Sequence, residues 1–526
     1  MKNNKRYKYL TTGFAFLAAL IFVTGCTKNY DKINTNSNAV ASVDASQIPF
    51  LFTRAESAAP NSQYNYQVAQ NLFADQYAQY FACDATYFPS DRLVIRQDWV
   101  GAAFNPIYTD VMPQLQSIFA ATDTASAEHA IASIWWVYSF HRVTDYWGPI
   151  PYFSAGQTAT SVPYDPQDKI YDDFFKRLTE AAAVLKSHTS ETPYGSYDIV
   201  YGGDVSKWIK FCNTLRLRLA LRISKVDADR AKREAEAAYA DGVMEASPAD
   251  DALVQRSTKG NDGNGLSIMS DWNEFRMSAS MESVLKGYSD PRISTYFLPA
   301  VGTNTYEGLR NGLTSTQLTI DINTHDNNSH VGARWASPSA GGIATYLSTS
   351  QNVMCAAEAY FLRAEGALNG WNMGGTAQAL YESGIKTSMA QWGYTDATAI
   401  NGYVNSTATP IAPNDYLKSP AISTIPVKFD AGNEATAREQ IATQKWLALF
   451  PDGMEAWADY RRSHILKLYP VANSDNPDIT NTSTQWLRRI PFLLSETQNN
   501  AAAVKDATGL LGGPDKVTTP LWWDKN

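Results

Sequence analysis

Histidine, cysteine and carboxylate residues are the groups most able to do chemistry, and here they form no recognisable reactive cluster. Of the six histidines, only His325 and His330 are close together, in the segment His-Asp-Asn-Asn-Ser-His. A zinc site needs three or four protein ligands, and no third ligand is evident beside these two. Residues 261–265 (Asn-Asp-Gly-Asn-Gly) have oxygen atoms and glycines, as short calcium loops do, but lack the spaced carboxylates of an EF-hand. Both segments are interpreted as solvated turns, and no metal or cofactor is expected.

Sequence motifs for nucleophilic or nucleotide-dependent catalysis are absent as well. The chain has no G-x-S-x-G, no phosphate-binding loop, no G-x-G-x-x-G, no H-E-x-x-H and no C-x-x-C. A glycoside hydrolase, however, needs only two carboxylates at a set separation in space, and the 52 acidic residues supply many candidates. A surface glycan hydrolase therefore stays open as an alternative to a binding protein.

Aromatic side chains are the more informative feature of the composition. Aromatic residues make up 12% of the chain, with 14 tryptophans and 29 tyrosines, and the net charge is -8. Many of these rings are expected to lie in the core. The apolar C–H faces of sugar rings also stack on aromatic rings, so the composition is compatible with a carbohydrate-binding protein. The negative charge, with no run of lysine and arginine, argues against a nucleic-acid partner.

The N-terminal residues predict the compartment. Basic residues at positions 2–8 precede an apolar run at 10–23, which is too short for a membrane span of about 20 residues. This order is typical of a secretory signal peptide. The run ends in Val-Thr-Gly-Cys, with small residues before Cys26, as in a bacterial lipoprotein signal. We therefore expect a signal peptide at 1–25, lipidation of Cys26, a polar tether over 26–46 and a membrane-anchored body.

Helical periodicity dominates the remainder of the chain. Apolar residues recur at three- and four-residue spacing over 171–185, 208–219 and 353–368, which predicts helices with one buried face. Gly370 ends the last of these helices.

A second helix, predicted over 376–391, follows the helix predicted over 353–369. Its inward face is expected to carry Ala379, Leu380 and Ser383. Two helices joined by a short turn, with small residues at their contact, resemble a tetratricopeptide unit, although no strict repeat of about 34 residues is present. The predicted fold is mostly α, with tetratricopeptide-like helix pairs, long loop insertions and a few short strands.

Long polar segments interrupt the helical pattern. They are rich in Gly, Asn, Asp, Ser and Thr and cover residues 80–100, 247–282, 299–345 and 393–436, the last with a possible strand at 422–427. Loops of this length in a compact protein are usually functional or disordered. No change of composition marks a domain boundary, so residues 47–526 are expected to form a single domain.

Five ordered segments resemble the SusD/RagB family of outer-membrane nutrient-binding lipoproteins, in particular its second large branch. They are residues 30–36 (Tyr-Asp-Lys-Ile-Asn-Thr-Asn), 144–152 (Thr-Asp-Tyr-Trp-Gly-Pro-Ile-Pro-Tyr), 207–220, 444–462 and 488–496 with the closing Trp522-Trp523-Asp524. Charged and aromatic residues within these segments are interpreted as scaffold: Asp145, Arg218, Glu455, Trp457 and Arg461.

The resemblance implies a non-catalytic capture protein. Members of the family lie at the outer membrane and form a lid over a SusC-type TonB-dependent transporter. They bind glycans or, in some members, peptides, on variable loops that often carry an arc of aromatic rings. We therefore expect a lipid-anchored, surface-exposed glycan-binding protein with a SusC-type partner. A peptide-binding member of the family, a glycan hydrolase and a purely structural lipoprotein are the alternatives.

The resemblance also suggests which loop residues contact the ligand. In the family the stretch after the first helices and the mid-chain loops meet on one face. Here those segments supply Tyr87, Asp91 and Arg92, then Trp272 and Asn273, then Arg334 and Trp335. A structural role as a loop anchor is the alternative for each of them. Trp335 is the first choice, because it lies among Gly, Ser, Pro and Ala with no helical stripe to bury it.

Overall fold

The computed structural model describes residues 44–61, 63–157, 161–336 and 346–525, and its elements are mainly helices. In chain order the α-helices are α1 (Ile48–Ala58), α2 (Gln63–Tyr66), α3 (Gly101–Pro106), α4 (Met112–Ala121), α5 (Ala127–Trp147), α6 (Gln167–Leu185), α7 (Val205–Arg222), α8 (Ala228–Ala240), α9 (Gly265–Trp272), α10 (Ala279–Gly287), α11 (Ile293–Tyr296), α12 (Ser315–Leu318), α13 (Ala356–Leu368), α14 (Ala377–Gln391), α15 (Ala397–Val404), α16 (Glu434–Leu449), α17 (Gly453–Ser463), α18 (Leu494–Asn499) and α19 (Ala501–Leu510). The segments Gln67–Asp75 and Ile107–Val111 wind as π-helices.

Successive helices pack in pairs, as the sequence predicts. Helices α5 and α6, α7 and α8, and α13 and α14 pack against each other, and α13 also packs against α7 and α16. All apolar positions of the stripe at 171–185 are buried, which confirms α6 as an amphipathic helix. The mostly α fold with tetratricopeptide-like pairs is thus confirmed.

The α13–α14 pair differs in detail from the prediction. Residues 351–354 form a strand, so α13 begins three residues later than expected. On α14, Leu380 is buried, Ser383 is half-buried and Ala379 is exposed. The close approach is made by Gly384 instead, where an added Cβ would lie 2.8 Å from the ring of Phe361. A glycine thus supplies the small contact surface that the sequence pattern assigned to alanine.

Four short strands form two antiparallel pairs. They are β1 (Phe81–Cys83), β2 (Ala252–Val254), β3 (Phe275–Met277) and β4 (Gln351–Met354). Strand β1 pairs with β3, and β2 pairs with β4. No strand forms at 422–427, where the structure shows irregular backbone, so that expectation is wrong. The predicted long loops instead hold short elements, among them α9 and β3.

A buried ionic network joins helices that are far apart in the chain. Arg218 on α7 forms two 2.7 Å hydrogen bonds to Glu358 on α13. Arg222, one turn further along α7, lies 2.6 Å from Glu455 on α17 and 3.3 Å from Asp145 on α5. All five side chains are buried, so each charge depends on its partners for stabilisation.

Trp457 and Arg461 on α17, which lie in one of the segments that resemble the family, have structural contacts beside this network. The guanidinium of Arg461 lies 3.5 Å from the ring centroid of Trp457 and donates a 2.8 Å hydrogen bond to the carbonyl of Asp145. Trp457 and Arg461 are both buried. These contacts agree with the interpretation of the two residues as scaffold.

Candidate functional site

Three exposed aromatic residues lie on one face and define the candidate site. The exposed fractions are 57% for Tyr64, 67% for Tyr87 and 38% for Trp272. The rings of Tyr64 and Trp272 stack on each other, with centroids 5.8 Å apart and planes 13° from parallel. We call this surface, with Gln67 and Glu274, the aromatic platform.

Glu274 joins the parts of the aromatic platform. One of its carboxylate oxygens accepts a hydrogen bond of 2.6 Å from Nε2 of Gln67, and the other accepts one from the hydroxyl of Tyr87. Glu274 is itself half-buried. The carboxylate therefore fixes the position of two polar groups next to the exposed rings.

The pairing of β1 with β3 brings the platform together from distant parts of the chain. Cys83 at the end of β1 lies opposite Phe275 at the start of β3. The amide of Asp84 then donates to the carbonyl of Glu274 over 3.2 Å. Residues that follow β1, such as Tyr87, therefore lie beside residues that precede β3. The hydrogen bond between Tyr87 and Glu274 therefore joins residues that are 187 positions apart in the sequence.

The close packing of α2 on α9 sets the position of Tyr64 beside Trp272. Gly265 at the start of α9 makes it possible, because an added Cβ there would lie 2.1 Å from Cβ of Tyr66. Asn273 ends α9 in the left-handed region, at φ 60°, a conformation that asparagine tolerates better than most residues. Trp272 is thus the last helical residue and its ring stays exposed.

An ion pair lies beneath the platform. Nη1 of Arg276 is 3.3 Å from the carboxylate of Asp84, and Nη2 donates a 2.6 Å hydrogen bond to Oδ1 of Asn273. Burial raises the pKa of Asp84, and the charge of Arg276 opposes that shift. The side chain of Asp84 is only 4% exposed, so it supports the platform and does not reach a ligand on the surface.

Three of the predicted contact residues therefore belong to one region. Tyr87 and Trp272 supply exposed rings, and Asn273 is exposed beside them while its side chain holds Arg276. The structure brings the first and second predicted segments together. The predicted contacts with a ligand stay a prediction.

Asp91 and Arg92 make structural contacts within the protein. Asp91 is buried and accepts hydrogen bonds from the amides of Cys83 and Gly312 and from Asn311. Burial raises its pKa to about 6, against the effect of these donors. Arg92 is half-buried, with Nε 2.6 Å from the carboxylate of Asp475. Both residues anchor loops, so we do not include them in the platform.

Trp335 differs most from the prediction. It is 2% exposed, and its ring centroid lies 5.8 Å from each of the rings of Trp392 and Phe450. The premise that nothing buries this ring is wrong, because its partners come from residues that follow it by more than 50 positions. Arg334 is exposed, and its guanidinium lies 5.7 Å from the centroid of the Trp392 ring.

Tyr64, Gln67 and Glu274 are platform residues that the prediction missed. The signal for Tyr64 was present, since Tyr64 and Tyr66 alternate with polar residues directly after the first helix. Glu274 follows Trp272 and Asn273, both of which were chosen. Their common location depends on the β1–β3 pairing and on the α2–α9 contact, and elements this short cannot be predicted from the sequence pattern.

The described residues contain no group of three or more His, Cys, Asp or Glu side chains arranged to hold a metal ion. Nε2 of His330 is 2.9 Å from the carbonyl of Ser270. In the segment 261–265, Asp262 pairs with Arg256 at 2.9 Å, and Asn264 caps α9. These polar groups have structural partners.

Within the described ranges there is also no helix with the length and apolar character of a membrane span. Cys26 lies outside the described residues.

Helices packed in pairs, with a few short strands, define a mostly α, tetratricopeptide-like class of protein. The model of SusD-like proteins, described as SusD and RagB outer membrane lipoproteins, matches residues 28–524. The chain therefore belongs to the SusD/RagB family of outer-membrane lipoproteins. No curated protein matches the sequence.

Solved structures of the family share the whole fold. A chitin-binding SusD homolog from Flavobacterium johnsoniae is 35% identical, with a TM-score of 0.82 over 91% of this chain and 99% of that one. SusD homologs from Bacteroides vulgatus and Bacteroides uniformis are 31% and 32% identical, with TM-scores of 0.81 and 0.82. The alignments cover 91% and 92% of this chain and 98% and 100% of the homologs.

Proposed function

We propose that this protein captures an oligosaccharide on the aromatic platform and delivers it to a SusC-type TonB-dependent outer-membrane transporter. It acts from the membrane surface, anchored by lipid at Cys26, and does no chemistry on the glycan. The observation that carries the proposal is the exposed, nearly parallel pair of Tyr64 and Trp272 rings.

The platform has the chemistry that sugar recognition needs. Tyr64 and Trp272 offer apolar ring faces to the C–H faces of a pyranose, and aromatic rings bury large areas at little cost in conformational entropy. The amide of Gln67 and the carboxylate of Glu274 lie at its edge, where they can bond hydroxyl groups. Tyr87 adds a third exposed ring on the far side of Glu274.

Chitin oligosaccharides are the ligand that we propose. The Flavobacterium johnsoniae homolog, at 35% identity, is described as chitin-binding, and a second chitin-binding protein is 27% identical over 91% of this chain. Chitin has the β-1,4-linked backbone of cellulose with an acetamido group on every ring. The two polymers therefore separate recognition of the acetamido group from stacking on the backbone.

The test is a pull-down of the lipid-free body on insoluble chitin and on cellulose. We expect retention on chitin, weaker retention on cellulose, and loss of both with Trp272→Ala. The control is Phe153→Ala, which removes an aromatic ring that is 51% exposed and packs on Tyr152 instead. Retention by Trp272→Ala equal to that of the wild type would show that the glycan binds elsewhere.

The same samples test the absence of catalysis. Chitin incubated with the protein should release no soluble sugars and no new reducing ends. Release of sugar would favour the glycan hydrolase alternative.

A separate experiment tests the transporter partner. The affinity-tagged full-length lipoprotein, purified from its own membranes, should retain a TonB-dependent barrel. Purification without a barrel would contradict the delivery step but not the binding step.

A further inference from the structure

The side chain of Arg334 lies over two tryptophan rings and is exposed to solvent. Its guanidinium carbon is 5.8 Å from the ring centroid of Trp335 and 5.7 Å from that of Trp392. The planes of the two rings are tilted by 60°, so they form two sides of a shallow notch around the guanidinium. Trp335 is buried and Trp392 is half-buried, whereas Arg334 is exposed. A ligand in solution can therefore reach the guanidinium.

The backbone that carries this side chain is fixed by the protein. The amide of Trp335 donates to the carbonyl of Gly332 over 2.9 Å, and the hydroxyl of Thr349 donates to the carbonyl of Arg334 over 3.0 Å. Gly332 packs so closely on Thr295 that an added Cβ would lie 1.9 Å from the carbonyl oxygen of that residue. The guanidinium is thus held in place before any ligand arrives, which lowers the entropic cost of binding.

Arg334 differs from the other arginines over aromatic rings because it has no hydrogen-bond acceptor. Every other such arginine in the described part of the chain donates to a carboxylate or a carbonyl. Arg363, for example, lies over Tyr239 and donates to Glu245 over 3.0 Å. The guanidinium of Arg334 has no hydrogen bond or ion pair with a described residue. Residues 337–345, which follow it in the chain, include no acidic residue.

The charge of Arg334 is shielded but not neutralised by the protein. Neighbouring atoms keep part of the water away from the guanidinium, which lowers its pKa, and no carboxylate is close enough to oppose that shift. An arginine side chain nevertheless stays protonated in proteins. Its planar N–H groups match the two oxygens of a carboxylate, which accepts two parallel hydrogen bonds and neutralises the charge. The group that would complete this arrangement is therefore a carboxylate.

We propose that Arg334 and Trp392 form a second binding site, which takes the carboxylate of an acidic sugar. The carboxylate pairs with Arg334, and the apolar C–H groups of the sugar ring pack beside it on Trp392. A hexuronic acid carries its carboxylate directly on the ring and so supplies both groups at once. The flexible side chain of an acidic peptide supplies the carboxylate without a rigid ring. The site shares no residue with the aromatic platform and does not rest on the function proposed for the platform.

The test is isothermal titration calorimetry on a parent protein with Trp272→Ala, so that the aromatic platform does not contribute. The ligands are the trisaccharide of galacturonic acid and its full methyl ester, which has the same rings but no charge. We expect saturable binding of the acid and at least tenfold weaker binding of the ester. Arg334→Gln in the same parent should also weaken binding of the acid at least tenfold.

Arg233→Gln in the same parent is the matched control. Arg233 is exposed on α8, and no described aromatic ring lies beneath its guanidinium. The substitution removes the same charge from the protein and should leave the affinity for the acid unchanged. Arg334→Gln should keep the urea midpoint of its parent, because the guanidinium has no hydrogen bond within the protein to lose.

The comparison of acid and ester needs no variant of Arg334, so it decides the proposal even if Arg334→Gln unfolds. No saturable binding of the acid, or equal affinities for the acid and the ester, would overturn the proposal. So would equal affinities of the parent and Arg334→Gln, or an equal loss with Arg233→Gln, since only the overall charge would then matter. Tighter binding of a tetrapeptide with two glutamates than of the trisaccharide would assign the site to acidic peptides instead.

Discussion

At the scale of single residues, two tryptophans in segments that the sequence predicts as loops have opposite surroundings. Trp272 is 38% exposed and lies beside Tyr64, whereas Trp335 is 2% exposed among aromatic rings. In the sequence both follow polar or small residues, and nothing local distinguishes them. The difference arises from tertiary contacts, because Trp392 and Phe450 cover one ring and no described residue covers the other to the same extent.

Trp335→Ala should therefore destabilise the fold. Removing a buried tryptophan costs about 3–5 kcal/mol in proteins generally, through lost transfer free energy and the cavity that remains. We expect a large fall in the urea midpoint of Trp335→Ala and almost none for Trp272→Ala, measured by tryptophan fluorescence and circular dichroism. An unchanged midpoint for Trp335→Ala would mean that the Trp335 ring is accessible in solution. Trp335 would then again be a candidate ligand contact.

At the scale of elements, the platform depends on two close contacts between short segments. The β1–β3 pair sets Tyr87 beside Glu274, and the α2–α9 contact sets Tyr64 beside Trp272. Neither contact needs a long element. Three-residue strands and a four-residue helix therefore position the rings, with the larger helix pairs as support.

Gly265→Ala tests the α2–α9 contact. Its Cβ would lie 2.1 Å from Cβ of Tyr66 and 3.1 Å from the carbonyl of Gln63, so α2 must move away from α9. We expect weaker chitin binding and lower stability by about 1–3 kcal/mol, as for overpacked sites.

Gly402→Ala is the matched control for this variant. Gly402 lies in α15, and an added Cβ there meets nothing within 4 Å. Alanine at such a site should keep chitin binding and stabilise the helix by up to about 1 kcal/mol. Equal behaviour of the two variants would contradict the role of Gly265 in spacing the platform.

Elements that are determined by nearby residues can be predicted from the sequence, whereas elements that depend on contacts between distant residues cannot. The helix α6 follows from its own 3.6-residue pattern, and Thr376 marks the start of α14 as its N-cap. The helix predicted over 353–369 includes the end of the strand at 351–354, because Val353 continues the apolar stripe of α13. Platform residues were predicted where an exposed aromatic residue lies in a polar loop, as at Tyr87 and Trp272. The burial of Asp91 is not visible in the sequence, because two of its three hydrogen-bond donors, Asn311 and Gly312, lie more than 200 residues away.

At the scale of the whole molecule, the ionic network ties the helix pairs to the C-terminal helices. Arg218 and Arg222 place two positive charges in the centre of the fold, and Glu358, Glu455 and Asp145 neutralise them from three other helices. Buried charges are costly without partners, so this network favours one relative arrangement of the helices.

Arg218→Met should be strongly destabilising, because it leaves Glu358 and Glu455 with less compensation in a buried site. Breaking one partner of a buried pair costs about 3–5 kcal/mol. The control is Arg96→Met, which breaks an exposed pair with Asp98 and should cost less than about 1 kcal/mol. Urea unfolding at neutral pH measures both. A small effect for Arg218→Met would mean that the network adds little to stability.

The measurement that tests the central claim most directly is isothermal titration calorimetry. It compares the affinity of the lipid-free body for chitohexaose between the wild type and Trp272→Ala. The account predicts saturable binding to the wild type and an affinity at least tenfold lower for the variant, a loss of about 1.4 kcal/mol or more in binding free energy. Phe153→Ala should bind as the wild type does. Equal affinities for the wild type and Trp272→Ala would contradict the claim that the aromatic platform captures the glycan.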